Sequence, residues 1–156
     1  NIAPGTVSDE LIMNIDFAPT LLDFAGLSIP EEMQGRSFKS TFTKNSDTKR
    51  NAVYYHYYEY PIWHNVQPHY GVRTDKYKLI HFYYSMDEWE LYDMDADPHE
   101  MNNIYENADP VLISKLKFKL DSLKKYYGDT SSIKDMISMT DTVIQRVYNE
   151  PVKEIK

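Results

Sequence analysis

Cysteine is missing from all 156 residues, which removes disulfides, thiolate metal sites and a thiol nucleophile together. No apolar run reaches the roughly 20 residues needed to span a bilayer. No signal-peptide pattern opens the chain either, and no membrane partner is expected. Neither a G-x-S-x-G elbow nor a Gly-rich phosphate loop occurs, so the sequence shows no hydrolase nucleophile turn and no nucleotide cradle. Positive charge is also in deficit: 17 Lys and Arg face 24 Asp and Glu, a net charge of −7. That sign disfavours nucleic acid, and an anionic substrate would need a local cationic pocket. The chain opens on Asn1 rather than Met, which leads us to expect a piece of a longer protein with any targeting signal upstream.

What is present is an ordinary globular composition with an excess of one ring. Hydrophobic residues make up 42% and charged ones 26%, enough to build a compact core. Tyrosine outnumbers phenylalanine 14 to 6. Its hydroxyl suits half-buried surfaces and binding faces.

Residues 1–10 read as a connector with a turn at Pro4-Gly5. A helix over 16–25 is expected, capped by Asn14 or Asp16, stopped by Gly26 and carrying Pro19 in its first turn. Residues 27–42 read as an irregular loop, and the polar stretch 43–50 as a boundary. Strands follow at 52–60, 69–74, 76–84 and 88–92, with a hairpin turn at Asp75-Lys76. On the third strand Leu79 and His81 share one face while Ile80 and Phe82 share the other, so cover on both sides is expected. Asp109, Pro110 and Gly128 frame a helix whose Leu112, Leu116, Leu120, Leu123 and Tyr127 pack on the sheet. A last helix over 133–149 is capped by Ser132, ended by Pro151 and striped by Ile133, Met136, Ile137, Ile144, Val147 and Tyr148. The fold class is α+β: a four-stranded antiparallel sheet packed against a C-terminal helix, with flanking helices at both ends.

The motifs give no self-sufficient active site. Asp93, Asp95 and Asp97 begin like a Ca²⁺ loop, but Pro98 and Ile104 stand where Gly and a bidentate Glu belong, so a capped turn is expected. The spacings of His56, His64 and His69 do not match a zincin pair. His81 is expected to be satisfied within the sheet and His99 solvated. Glu59 and Glu88 read as solvated strand-edge acids rather than a catalytic pair. The loop from Tyr58 to Arg73 carries Trp63, His64, His69 and Tyr70, groups that stack on a sugar ring and bond its hydroxyls. From the residues alone, a binding loop and a loop packed by its own aromatics both stand open.

Four blocks in order carry a resemblance. They are Asn14–Gly26 (NIDFAPTLLDFAG), Met33–Phe38 (MQGRSF), His69–Ile80 (HYGVRTDKYKLI) and Glu90–Asn103 (ELYDMDADPHEMNN). Together they resemble the C-terminal part of the type I, formylglycine-dependent sulfatases of the alkaline phosphatase-like superfamily. The Tyr58–Thr74 pattern is most similar to bacterial enzymes acting on 6-O-sulfated N-acetylglucosamine. The resemblance implies that residues 1–45 trail a large α/β catalytic domain, that 46–128 form the C-terminal subdomain, and that 129–156 are an additional helical extension.

It also implies a parent enzyme that hydrolyses sulfate esters of glycans with Ca²⁺ and a formylglycine made from a C/S-x-P-x-R motif. No such motif occurs in this chain, so no catalytic and no metal-binding residue is assigned here. The implied partners are a sulfated glycan and the N-terminal catalytic domain of the same chain, in a periplasmic or secreted setting. His69 is the first substrate-binding candidate and His64 the second, followed by Trp63 and Arg73, the last equally suited to pairing with a sheet acid. Arg36 is left without chemistry. Without its large domain the first helix would expose an apolar face, inviting self-association. The alternatives are a free-standing carbohydrate-binding domain and a structural or oligomerisation domain.

Overall fold

The computed structural model describes residues 2–42, 49–61 and 64–149. The chain divides into two compact units, residues 1–53 and 54–156.

In the first unit, α1 spans Phe17–Phe24 and follows a single 3-10 turn at Asn14–Asp16. Gly26 stops it at φ +71, with Leu27 N–H donating to Leu22 O at 2.9 Å in the closing turn. Asp16 occupies the N-cap position, but its carboxylate makes no cap bond to the helix. It accepts instead from the backbone N–H of Met13 (2.7 Å) and Arg36 (2.9 Å), and it pairs with the Arg50 guanidinium. Burial works against the Asp16 charge, but Arg50 and the two N–H groups outweigh it and hold the carboxyl below its ordinary range. Thr20 Oγ1 donates to Asp16 O and accepts from Phe38 N–H, fastening the 33–38 segment. Gly35 permits that approach, since a Cβ there would lie 1.9 Å from Ile15 O. A second 3-10 turn at Lys39–Phe42 closes what the sequence suggested was irregular.

The second unit is built on a sheet of order β1-β2-β3-β4: Ala52–Tyr57, His69–Thr74, Tyr77–Phe82 and Glu88–Asp93. The unit boundary falls within β1. β2 and β4 both pair antiparallel with β3, with Val72 opposite Leu79 and Leu79 opposite Leu91. These three residues are fully buried, and Ile80 is buried on the opposite face, so β3 is covered on both sides as expected. β1 ends three residues before the expected strand, where Tyr60 N–H turns back to Tyr58 O ahead of Pro61. α2, Pro110–Tyr126, is capped by Asp109, whose carboxylate accepts from Val111 N–H. Leu116 and Leu120 anchor it in the core.

α3, Ile133–Asn149, begins with a reciprocal Ser132–Asp135 cap. Its buried line differs from the expected stripe. Met136 and Thr140 are buried, while Ile133, Val147 and Tyr148 stay exposed. Thr140 tolerates burial because its hydroxyl donates to Met136 O. The expected terminator Pro151 lies outside the described residues.

Candidate functional site

Alternation along β1 and β2 sends two sets of aromatics to opposite faces of the sheet. Tyr55, Tyr57, His69 and Phe82 share one face. Tyr54, His56, Tyr70, His81 and Tyr83 share the face on which α2 packs.

On the first face His69 is clamped by rings. It stacks on Tyr57 at 5.3 Å between centroids, with Phe82 at 5.0 Å and Tyr55 at 5.9 Å. Its Nδ1 lies 2.8 Å from Gln67 O, a partner that can only accept. Nδ1 therefore carries a proton, the tautomer that leaves Nε2 as the acceptor when the ring holds one proton. Gly71 lets Tyr55 cross β2 at this point, since a Cβ would come within 2.7 Å of the Tyr55 hydroxyl. Half-buried Lys78 pairs with Glu100 at 2.6 Å nearby in the sheet. His64 lies exposed in the loop before β2, which Pro68 anchors by its burial. Trp63 lies outside the described residues.

Arg73 shares the His69 face four residues further along β2. Its guanidinium donates to Thr74 O and to Asp75 O (2.8 Å), bracing the hairpin turn rather than a sheet acid. Glu59 and Glu88 are exposed on opposite edge strands or their ends and form no pair. Asp93 caps the turn after β4 by accepting from Asp95 and Ala96 N–H. His99 is exposed.

The α2 face holds a polar cluster that sequence reasoning missed. Asp129 accepts from Tyr54 Oη and from His56 Nδ1 (2.9 Å), and His56 Nε2 meets Tyr83 Oη at 2.9 Å. Burial pushes the His56 pKa down despite the raising effect of Asp129. Asp129 itself is held below the ordinary carboxylate range, its burial outweighed by Tyr54, His56 and Lys124. Burial also pushes the Tyr83 hydroxyl up to about 12. Tyr54 and His56 alternate to one face, and that signal was legible. Asp129 joins them only because Gly128, at φ +74, turns the chain after α2. His81, which is buried, is satisfied at both nitrogens by Tyr70 Oη (2.8 Å) and Asp87 (2.7 Å) and stacks on Trp89 at 4.1 Å. Among the described residues no three His, Asp or Glu side chains converge to hold a metal. Nor is any helix among them long and apolar enough to cross a membrane.

Comparison with known proteins now places this architecture. The family described as N-sulphoglucosamine sulphohydrolase, C-terminal, matches residues 1–126. The N-acetylglucosamine-6-O-sulfatase of Bacteroides thetaiotaomicron is 50% identical over 132 residues, covering 82% of this chain and 24% of that protein. The N-acetylglucosamine-6-sulfatase of Bos taurus is 30% identical over 159 residues, covering 83% of this chain and 28% of that protein. A solved structure in complex with its substrate D-glucosamine-2-N,6-O-disulfate superposes with a TM-score of 0.73 at 49% identity, over 78% of this chain and 25% of that one. The chain thus spans about a quarter of the length of these relatives. With the family model matching residues 1–126 and half identity to a sulfatase over most of the chain, the chain belongs to the N-sulphoglucosamine sulphohydrolase, C-terminal, family.

Proposed function

We propose that these residues act as the C-terminal part of a glycan sulfatase cleaving 6-O-sulfate from N-acetylglucosamine, and that they wall the sugar side of its pocket. The observation that carries this reading is the half identity to an N-acetylglucosamine-6-O-sulfatase across most of the chain. The ligand in the related solved complex, itself 6-O-sulfated, supports the same position. Residues 1–45 would complete the large domain, and residues 46–128 would brace it and carry the loop ending at His69. A periplasmic or secreted setting goes with this reading.

The sulfur chemistry would belong to other parts of the enzyme. Formylglycine needs a C/S-x-P-x-R motif, and this sequence holds none. Three carboxylate or imidazole donors do not converge among the described residues, so neither Ca²⁺ nor any step through it is assigned to them. His69 has a positioning task. With Nδ1–H committed to Gln67 O and the ring clamped by Tyr57 and Phe82, its Nε2 is a fixed acceptor for a sugar hydroxyl. His64 is the second contact, and Trp63 would add a stacking surface. Arg73 supports the turn and reaches the sugar only indirectly.

The test is His69→Ala in the full enzyme. kcat/KM should fall about tenfold or more on the sulfated sugar and by less than about twofold on a small aryl sulfate. Equal losses on both substrates would make His69 a support of the fold. Activity on neither substrate in the unmodified enzyme would overturn the sulfatase reading, and tight glycan binding by the chain alone would then favour a free-standing binding domain.

A further inference from the structure

Beneath α3 the second unit holds a cavity of about 420 Å³, within the ~300–1,000 Å³ range of small-molecule sites. Tyr54, Tyr58 and Tyr83 wall it on the sheet side, Met136 and Met139 on the α3 side, and the Asp129–His56 pair lines one end. The Tyr84 hydroxyl fastens α3 over it by donating to Asp141 Oδ1 at 2.7 Å. Asp129 and the whole of α3 lie beyond residues 1–126, the segment that the family shares.

We propose that this cavity binds one neutral pyranose ring, as a second carbohydrate site separate from the His69 loop. The direction of the hydrogen bonds defines the ligand. Tyr54 O–H and His56 Nδ1–H both donate to Asp129 Oδ2, and Tyr83 O–H donates to His56 Nε2. All three donors are used within the cluster. The cluster itself therefore offers a ligand acceptors, Asp129 and Tyr83 Oη, while the Tyr58 and Ser131 hydroxyls that also line the cavity can donate or accept. A ligand that meets the cluster must bring donors and can accept from the other hydroxyls, as the hydroxyls of a sugar do, and it needs an apolar C–H face for the tyrosine rings and methionine methyls.

Charge narrows the choice further. Among the described residues no Lys or Arg lines the cavity, and a sulfate group, which only accepts, would face the Asp129 carboxylate. Lys124 already acts on Asp129 by its charge, so the cluster does not call for a second cation. A neutral polyol ring is what remains. The reading does not depend on which sulfate the enzyme cleaves.

The test is a titration of the full 156-residue chain with methyl N-acetyl-β-glucosaminide and with its 6-O-sulfate, read at the ¹³C-methyl signals of Met136 and Met139. The neutral sugar should shift both signals with half-saturation in the millimolar range, and the 6-sulfate should bind about tenfold more weakly or not at all. Tyr83→Phe keeps the ring and removes one acceptor, so affinity should fall about fivefold. Tyr58 is 67% exposed and packs edge-on against His56, so Tyr58→Ala tests the rim of the cavity and should weaken binding about threefold. No shift at either methionine up to about 100 mM sugar would overturn the proposal. So would unchanged affinity in both variants, or tetramethylammonium shifting the methionines while the sugar does not.

Discussion

In residues 1–53 the most deeply buried side chains include Asp16, Pro19, Thr20 and Arg50, whereas in residues 54–156 they include Val72, Leu79, Leu91 and Leu120. The apolar residues of the first unit are turned outward: Phe17 is 53% exposed, Leu21 68% and Leu27 60%. An apolar helix face left exposed beside a polar, ion-paired interior fits the proposed role of this segment as part of a larger domain. The second unit follows the ordinary rule of an apolar interior under a polar surface. What differs is the kind of force that keeps each unit folded, directional and charge-dependent in the first, area-dependent in the second.

The sharpest way to break this contrast is Asp16→Ala. It removes the carboxylate that pairs with the buried Arg50 guanidinium and accepts from the two backbone N–H groups of Met13 and Arg36, so residues 1–53 should lose about 3–5 kcal/mol. Hydrogen exchange should show that unit opening while the β2–β3 amides keep their protection; loss of both together would show one cooperative unit. Leu79→Ala should do the reverse, opening a cavity in the sheet at a cost of about 2–5 kcal/mol in denaturant unfolding of residues 54–156.

Acid separates the units next. The His56 pKa is lowered in the folded state, so the unfolded chain binds that proton more readily. Its contribution is present above about pH 6.5 and declines as pH falls from there, by no more than ~1.4 kcal/mol per pH unit. Asp16 is also depressed, but from about 3.9, so the first unit should hold until pH falls below that value. Exchange measured at pH 7, 5 and 3.5 checks the order, and the first unit failing first would contradict it. The smallest effect belongs to Leu21→Ser, within about 0.5 kcal/mol. It should reduce any self-association of the chain seen by light scattering, and unchanged association would show that this face is not what drives it.

Much of the second unit was legible in its residues. The β2 bounds, the Pro110 and Gly128 frame of α2 and the burial of Leu79 and Ile80 on opposite faces all follow from period-two alternation and terminus chemistry. The α3 stripe was read less well. Its apolar residues do share one face, but only Met136 and Thr140 on it are buried, while Ile133 at the first turn and Val147 and Tyr148 at the last stay exposed. Asp16 shows the same limit: a helix-start acid looks like a cap, and only Arg50, distant in sequence, reveals it as one half of a buried ion pair.

The functional residues divide along that line. Sequence by itself determined the family, the sheet, the lack of a sulfatase nucleophile motif in this chain, and the concentration of aromatics and histidines before β2. These depend on residue type and near-neighbour spacing, which one dimension records. Only the tertiary structure decided that His69 is ring-clamped with its proton on Nδ1, that Arg73 serves its own turn, and that Asp129 completes a cluster with Tyr54, His56 and Tyr83. Those outcomes rest on hydrogen-bond direction and on contacts between residues up to 75 positions apart, and neither is written in local pattern.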